Sequence, residues 1–247
     1  MDNLTQRQVD ILKAIIKEYT DVGEAVGSEI LEKKYKLGVS PATIRNEMVE
    51  LAQKGYLKKN HFSSGRVPSA KGFRFYIKHL MKEKELSTIE EVAYKNSIWD
   101  DRTEVHKLLY HATKVLAERT GLLSITVNDS GDIYYAGVAN LFNNVEFLQP
   151  DLSKTLFRLL DEANFWDGIL RQFYKDEEDV IYLLGAEDFH DPIFEACASV
   201  IGEFNTEKVK GIIGVVGPKR MNYDVVIPQV RYFSNLIEEI IKTHTVA

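Results

Sequence analysis

The stretch from Ser40 to Gly55 is the most sharply punctuated part of this chain, and it dictates a helix with defined ends. Ser40 stands at the capping position, Pro41 at the first helical position where its missing N–H has no intrahelical partner to lose, and Gly55 just past the end. Ile44, Met48 and Leu51 recur at spacings of four and three and define the inward face. Ala42, Thr43, Arg45, Asn46 and Val49 are thereby left on or beside the opposite face.

Two further helices precede it. Thr5 is placed to cap the first, whose apolar positions Val9, Leu12, Ile15, Ile16 and Tyr19 share one face until Gly23 breaks the pattern. Ser28 opens a short second helix with Ile30, Leu31 and Tyr35 inward, and Leu37-Gly38-Val39 makes a tight turn. After Gly55 the pattern becomes extended: Tyr56 to Lys59, a polar turn at Ser63-Ser64-Gly65, then Arg66-Val67-Pro68. Three helices followed by such a hairpin predict a winged helix-turn-helix, with the third helix in a major groove and the wing on the backbone or minor groove. A helix from Ser69 to Lys84, with Phe73, Phe75, Tyr76, Ile77 and Leu80 available to pack, props the wing.

Charge separates this front from the rest. Through Lys82 there are 15 Lys+Arg against 9 Asp+Glu; beyond it there are 16 against 28, so a front of +6 and a rear of −12 give the net −6. Lys and Arg neutralise phosphates, so only the front suits a polyanion, although chance segregation of solvated charges would look the same. At 247 residues and 45% hydrophobic composition the chain has length for two domains and a sizeable core. One cysteine, Cys197, forms no internal disulfide, and the lack of a leader pattern or a long apolar run leads to the expectation of a cytoplasmic protein with no membrane partner.

The expected organisation is a DNA-binding domain over 1–82, a charged, helical or partly ordered connector over 83–101 and a second domain over 102–247. In the last, Val105 to Arg119 is an amphipathic helix. Strands are expected at Leu122 to Val127, Ile133 to Val138, Val180 to Leu184, Ala198 to Phe204 and Val209 to Val216. Helices are expected at Leu152 to Ala163, at Trp166 to Tyr174 and at the end to about Lys242. The fold class is α+β.

The outward face of the third helix is the strongest site. Asn46 pairs bidentately with adenine, Arg45 reaches guanine or phosphate, and the methyls of Ala42 and Thr43 suit thymine; Ser40 and the helix start suit phosphate. An ordinary solvated helix face has the same composition, and it is the preceding helix, the hairpin and the charge that favour DNA. His61, Ser63, Ser64, Gly65 and Arg66, flanked by Lys58 and Lys59, form the wing, where Gly65 permits positive backbone angles or a close approach to DNA. Enzymatic signals are poor. Glu187, Asp188, His190 and Asp191 suggest a metal or acid/base group, but Pro192 beside them favours a loop and helix cap. His106 and His111 are five apart, and Gly211, Gly214 and Gly217 match no phosphate loop. Cys197 reads as a buried thiol, and no cofactor or catalytic residue is assigned.

Four segments resemble the HrcA family of heat-inducible transcription repressors: GSEILEKKYKLGVSPATIRNEMVELAQKGYL, HFSSGRVPSAKGFRFYI, YYAGVANLFNNVEF and GIIGVVGPKRMNYDVVIP. The resemblance implies a dimeric repressor of chaperone genes that binds an inverted repeat, the CIRCE element. It also implies a GAF-like second domain and the chaperonin GroEL as the partner that keeps the repressor active until heat diverts it. It carries DNA reading to Pro41, Ala42, Thr43, Arg45 and Asn46, and wing contacts to Ser63, Gly65 and Arg66. One departure stands out: Leu122 and Asn140 are joined by a short hairpin-like stretch where the family has an inserted dimerisation domain. The helix Val105 to Arg119 and the terminal helix are the candidate dimer elements, unless both simply pack on their own sheet. A repressor whose GAF-like domain senses a small molecule is the alternative reading.

Overall fold

The computed structural model describes residues 4–59, 65–160, 162, 165–166, 168 and 179–244. They fall into two units, Met1–Lys82 and Glu83–Ala247.

In the first unit, helix α1 (Gln6–Val22) starts with a reciprocal cap. The Thr5 hydroxyl accepts from the Gln8 N–H at 3.2 Å, the Gln8 side chain accepts from the Thr5 N–H, and Gly23 ends the helix at φ 78°. Helix α2 (Ser28–Tyr35) begins with Ser28 inside it and Gly27 at the capping position. Leu31 is buried but Ile30 is exposed, contrary to expectation, because so short a helix has room for only a narrow inward stripe. Helix α3 (Pro41–Gln53) is capped as its sequence dictates, with the Ser40 Oγ accepting from the Thr43 N–H and Ile44, Met48 and Leu51 buried. Strands β1 (Leu57–Lys59) and β2 (Arg66–Pro68) pair antiparallel, and Arg66 also bridges to Val26 in the α1–α2 loop. Helix α4 (Ala70–Phe75) runs into a single π-helical stretch, Tyr76–Leu80, and ends before Lys84 because Met81 is extended. The Ser69 hydroxyl donates to the Gly55 carbonyl at 2.6 Å and caps α4, tying the end of α3 to the start of α4.

A buried carboxylate locks α2 onto α1. Glu18 receives Lys34 Nζ at 2.6 Å and the Tyr35 hydroxyl at 3.0 Å. Burial, and then the hydrogen bond to and charge of Glu18, push the Tyr35 hydroxyl up to about 12. A hydroxyl that binds its proton more tightly in the fold than in the unfolded chain contributes fully below the ordinary value of 10, and that contribution disappears as pH rises through 12. Tyr35→Phe is therefore expected to cost about 1 kcal/mol at neutral pH and to flatten the loss of stability between pH 10 and 12. Denaturant titrations across that range check this; identical alkaline slopes for both proteins would contradict it.

The second unit opens with a helix in the segment expected as a helical or partly ordered connector. Helix α5 (Thr88–Trp99) has a Ser87–Glu90 capping box. Its Tyr94 is buried and stacks on Phe233 with ring centres 5.4 Å apart, while Glu83 pairs with Arg231. Residues 83–101 thus pack into this unit, because two apolar side chains one turn apart, Tyr94 and Ile98, suffice to dock an otherwise polar helix. Then follow α6 (Val105–Thr120), β3 (Leu123–Asn128), β4 (Ile133–Ala136), α7 (Val138–Leu141) and α8 (Pro150–Leu160). The unit closes with β5 (Val180–Leu184), α9 (Ala186–Phe189), β6 (Cys197–Asn205), β7 (Lys210–Pro218) and α10 (Tyr223–His244). The sheet order is β4-β3-β7-β6-β5 with every pairing antiparallel, so the class is α+β. Strand β4 stops short of Val138 because Gly137, at φ 79°, turns the chain into α7, where a Cβ would meet the Leu122 carbonyl at 2.5 Å.

Both faces of this sheet are covered. Leu123, Ile125, Val127, Ile181, Leu183, Ile212 and Val216 meet Phe147, Leu152 and Leu156 on one side. On the other lie α6 and α10, with the Thr113 hydroxyl donating to the Thr126 hydroxyl at 2.6 Å. Gly202 sits under α10, where a Cβ would lie 2.8 Å from the Ser234 hydroxyl. Two buried faces explain why β7 reads as an unbroken run of apolar residues and glycines; β3 alternates, with Thr126 bonded to α6 on one face and Leu123, Ile125 and Val127 in the core on the other. Most of the helix expected at Trp166 to Tyr174 lies outside the described residues; Trp166 itself is buried, its Nε1 donating to the Leu159 carbonyl at 2.8 Å. Among the described residues no helix is long and apolar enough to cross a membrane.

Candidate nucleic-acid interface

The outward face of α3 is built by what holds its inward face. Ile44, Met48 and Leu51 are buried against the rest of the first unit, each worth about 1.5–3 kcal/mol of transfer from water. That burial turns Ser40, Ala42, Arg45 and Asn46 outward, with Pro41 and Thr43 half-buried beside them. The side chains of Arg45 and Asn46 make no hydrogen bond or ion pair among the described residues. The Ser40 and Thr43 hydroxyls lie 3.0 Å apart and bond each other, so their first duty is the helix cap. Val49, one turn beyond Arg45, adds an exposed methyl pair to the same surface.

A polar clamp missed in the sequence sets the rotation of this helix. Gln8, almost fully buried, donates through Nε2 to Glu47 at 3.0 Å and Glu50 at 2.8 Å on α3, and its Oε1 accepts from Lys54 Nζ at 2.7 Å. Arg7 adds an ion pair to Glu47 at 3.3 Å. One amide therefore joins the start of α1 to two turns of α3, along a flank where Glu50 lies one turn from Asn46. The Thr-x-x-Gln capping spacing was a signal for the α1 half of this arrangement; the α3 half needed the tertiary fold.

The hairpin divides. Lys58 and Lys59 are exposed on β1, whereas His61, Ser63 and Ser64 lie outside the described residues. Gly65 is buried, its φ is not in the left-handed region, and a Cβ there would lie 2.9 Å from the backbone of Ala25. A close approach that Gly65 permits in this structure is to the protein's own α1–α2 loop. Arg66 is half-buried and exchanges both backbone hydrogen bonds with Val26, at 2.9 and 3.0 Å, anchoring the same loop.

The other sequence candidates have structural duties. Asp188 accepts from the Leu184 N–H at 2.6 Å, Asp191 caps Ile193 at 2.9 Å, and His190 adopts a left-handed turn. No group of metal-binding side chains occurs among the described residues. Cys197 is buried, which pushes its thiol up. Gly211 and Gly214 lie in β7, where Cβ atoms would meet neighbouring strand carbonyls at 2.4 Å.

Comparison with known proteins defines the class. Residues 43–227 match the family model of the HrcA protein C terminal domain. The heat-inducible transcription repressor HrcA of Desulforamulus reducens is 26% identical, with 97% of this chain and 99% of that protein aligned. That alignment runs over 344 positions against 247 residues, so roughly a hundred positions face no residue here. The HrcA of Clostridium acetobutylicum is 37% identical over 68% of this chain and 48% of its own length; that of Clostridium tetani is 44% identical over 51% and 36%. In the last two alignments the chain spans less than half of the relative. A crystal structure of a hypothetical protein superposes with a TM-score of 0.77 over 98% of this chain and all of that one, at 17% identity, so the fold is shared. This chain belongs to the HrcA family.

Two substitutions test the geometry. Gln8→Leu, which removes the clamp and leaves Glu47 and Glu50 side by side, is expected to cost about 1–3 kcal/mol in denaturant titration of the full chain. Gly65→Ala is expected to cost about 1–3 kcal/mol because the Ala25 backbone must move. A variant within 0.3 kcal/mol of the parent, on the order of titration error, would remove its contact from this account.

Proposed function

We propose that this chain is a sequence-specific repressor of heat-shock genes. In this reading the first unit is a winged helix-turn-helix, α3 its recognition helix and the β1–β2 hairpin its wing, and two copies bind the two halves of an inverted repeat, the CIRCE element of the family. The observation that carries it is the pair Arg45 and Asn46, exposed and unengaged on a helix whose inward face is fixed by apolar burial and whose flank is held by Gln8. Asn46 pairs with an adenine edge, Arg45 with guanine or phosphate, and Ala42 and Thr43 with thymine methyls. Pro41 pre-sets the first turn, whose free amides with Ser40 meet a phosphate. Lys58 and Lys59 lie on the neighbouring backbone, together with His61, Ser63 and Ser64 of the wing; Arg66 and the buried Gly65 act through the base of that hairpin.

The second unit is read as GAF-like, a reading supported by its five-stranded antiparallel sheet with helices on one face and α7 and α8 on the other. Family membership favours control by the chaperonin GroEL over catalysis, and no residue is assigned a catalytic role. Mobility-shift titrations against the inverted repeat and a scrambled duplex test the proposal. With 6 to 10 phosphate contacts, affinity is expected to fall about 10³- to 10⁵-fold between about 50 and 200 mM salt. Asn46→Ala is expected to cost about 1–3 kcal/mol at the repeat and little on scrambled DNA. Equal affinity of the parent for both duplexes would refute sequence-specific repression.

A further inference from the structure

Seven residues, Met81 to Ser87, join the π-helical stretch to α5, and none of them is in a helix or strand. The second unit nevertheless grips this span at its first two residues. The Nη1 and Nη2 groups of Arg231 donate to the two carboxylate oxygens of Glu83, Nη2 to Oε1 at 3.1 Å. Asp179, at the head of β5, adds a second negative charge towards the same guanidinium. Lys84 is held through its backbone, its N–H donating to the Asp224 carbonyl at 2.9 Å. Pro228 explains why that carbonyl accepts from outside its helix: four residues on, it lacks the N–H that an α-helix would aim there. A carbonyl and a guanidinium two turns apart on α10 thus make one socket for Glu83 and Lys84.

We propose that this socket is a positioning device for operator binding, with Arg231 as its positioning residue. By holding Glu83 and Lys84 it restricts the reach of the first unit, and so the half-site spacings that two first units can span. The inference rests on the reading of two copies on one inverted repeat, joined through their second units.

The socket is not needed to hold α5. That helix is docked by Tyr94 and Ile98, by the Tyr232 hydroxyl donating to the Glu91 carbonyl at 2.7 Å, and by Lys95 with Glu239 at 2.8 Å. Ser87 is fixed by its own capping box. What the socket changes is the length of chain ahead of α5. With it filled, only Met81 and Lys82 separate Leu80 from an anchored residue. Released, Glu83 to Leu86 join them, and at about 3.3–3.6 Å per residue these four add about 13 Å of reach. A base pair advances about 3.4 Å along the duplex, so each copy gains about four base pairs of travel. The longer tether also dilutes the second binding event: going from two free residues to six lowers the effective concentration about fivefold, by the −3/2 power of length.

Mobility-shift titrations of the full chain against inverted repeats with the natural spacer, and with spacers one or two base pairs longer or shorter, test the proposal. The parent is expected to lose at least about tenfold in affinity on the altered spacers. Glu83→Ala with Pro228→Ala, which removes the carboxylate and gives Asp224 a helical donor, is expected to bind the natural repeat about fivefold more weakly and to vary less than about threefold across the series. Affinity for a duplex carrying one half-site is expected to be unchanged, which separates a change of reach from damage to the fold. Lys95→Ala, which breaks an ion pair between α5 and α10 away from the socket, is expected to keep the parent profile. Cys197 is buried, so a short bismaleimide reacts only with introduced cysteines; cross-linking Glu83→Cys to Arg231→Cys in the Pro228→Ala background is expected to restore the narrow profile. A parent indifferent to spacing, a double variant with the parent profile, or a cross-linked protein that stays tolerant would each overturn the proposal. A parent that binds scrambled DNA as well as the repeat would instead refute the repressor reading beneath it.

Discussion

The burial of Ile44, Met48 and Leu51 is the contact on which the DNA-reading account depends, because it decides which side of α3 meets solvent. Apolar burial has no direction of its own, so three aliphatic side chains hold the helix down without fixing its rotation to a few degrees. The Gln8 clamp supplies that precision. An amide with two donors and an acceptor engages Glu47, Glu50 and Lys54 at once, and its own place is set by the capping box with Thr5. A neutral amide suits this position better than a charge: it joins two carboxylates and an ammonium while itself adding no buried charge to desolvate.

The same economy of parts recurs through the first unit. The α1–α2 loop is held by Val26 to β2 and by Ala25 to Gly65, so the hairpin base and the helix pair are one framework. Ser69 ties the turn after α3 to α4 in the same manner. The second unit relies on a sheet sealed on both faces, with short polar bonds such as Thr113–Thr126 where helix and strand meet.

Local chemistry made α1, α3, α6 and all the strands of the second unit legible from the sequence, within about two residues at each end. Ser40-Pro41 and Gly55 mark their helix ends by backbone rules that tertiary packing does not override. One misreading has a physical cause: Ile30 looked inward because apolar character was equated with burial. The charge of 83–101 hid how Tyr94 and Ile98 dock α5 within its unit. Sequence reports the need for a small residue at Gly65, not that the Ala25 backbone is a neighbour that imposes it. At the site, the outward residues of α3 could be named in advance, since periodicity alone assigns them. Gln8 could not be, since its partners lie 39 to 46 residues away.

The central claim is that the Arg45–Asn46 edge of α3 lies against base pairs. Asn46→Cys carrying a photoreactive group, bound to inverted-repeat duplex and irradiated, tests it most directly, because the buried Cys197 takes no label. The account expects cross-links to bases at symmetry-related positions in both half-sites, and none from the same group at the exposed Ile30. Cross-linking from position 30 with silence from position 46 would contradict it.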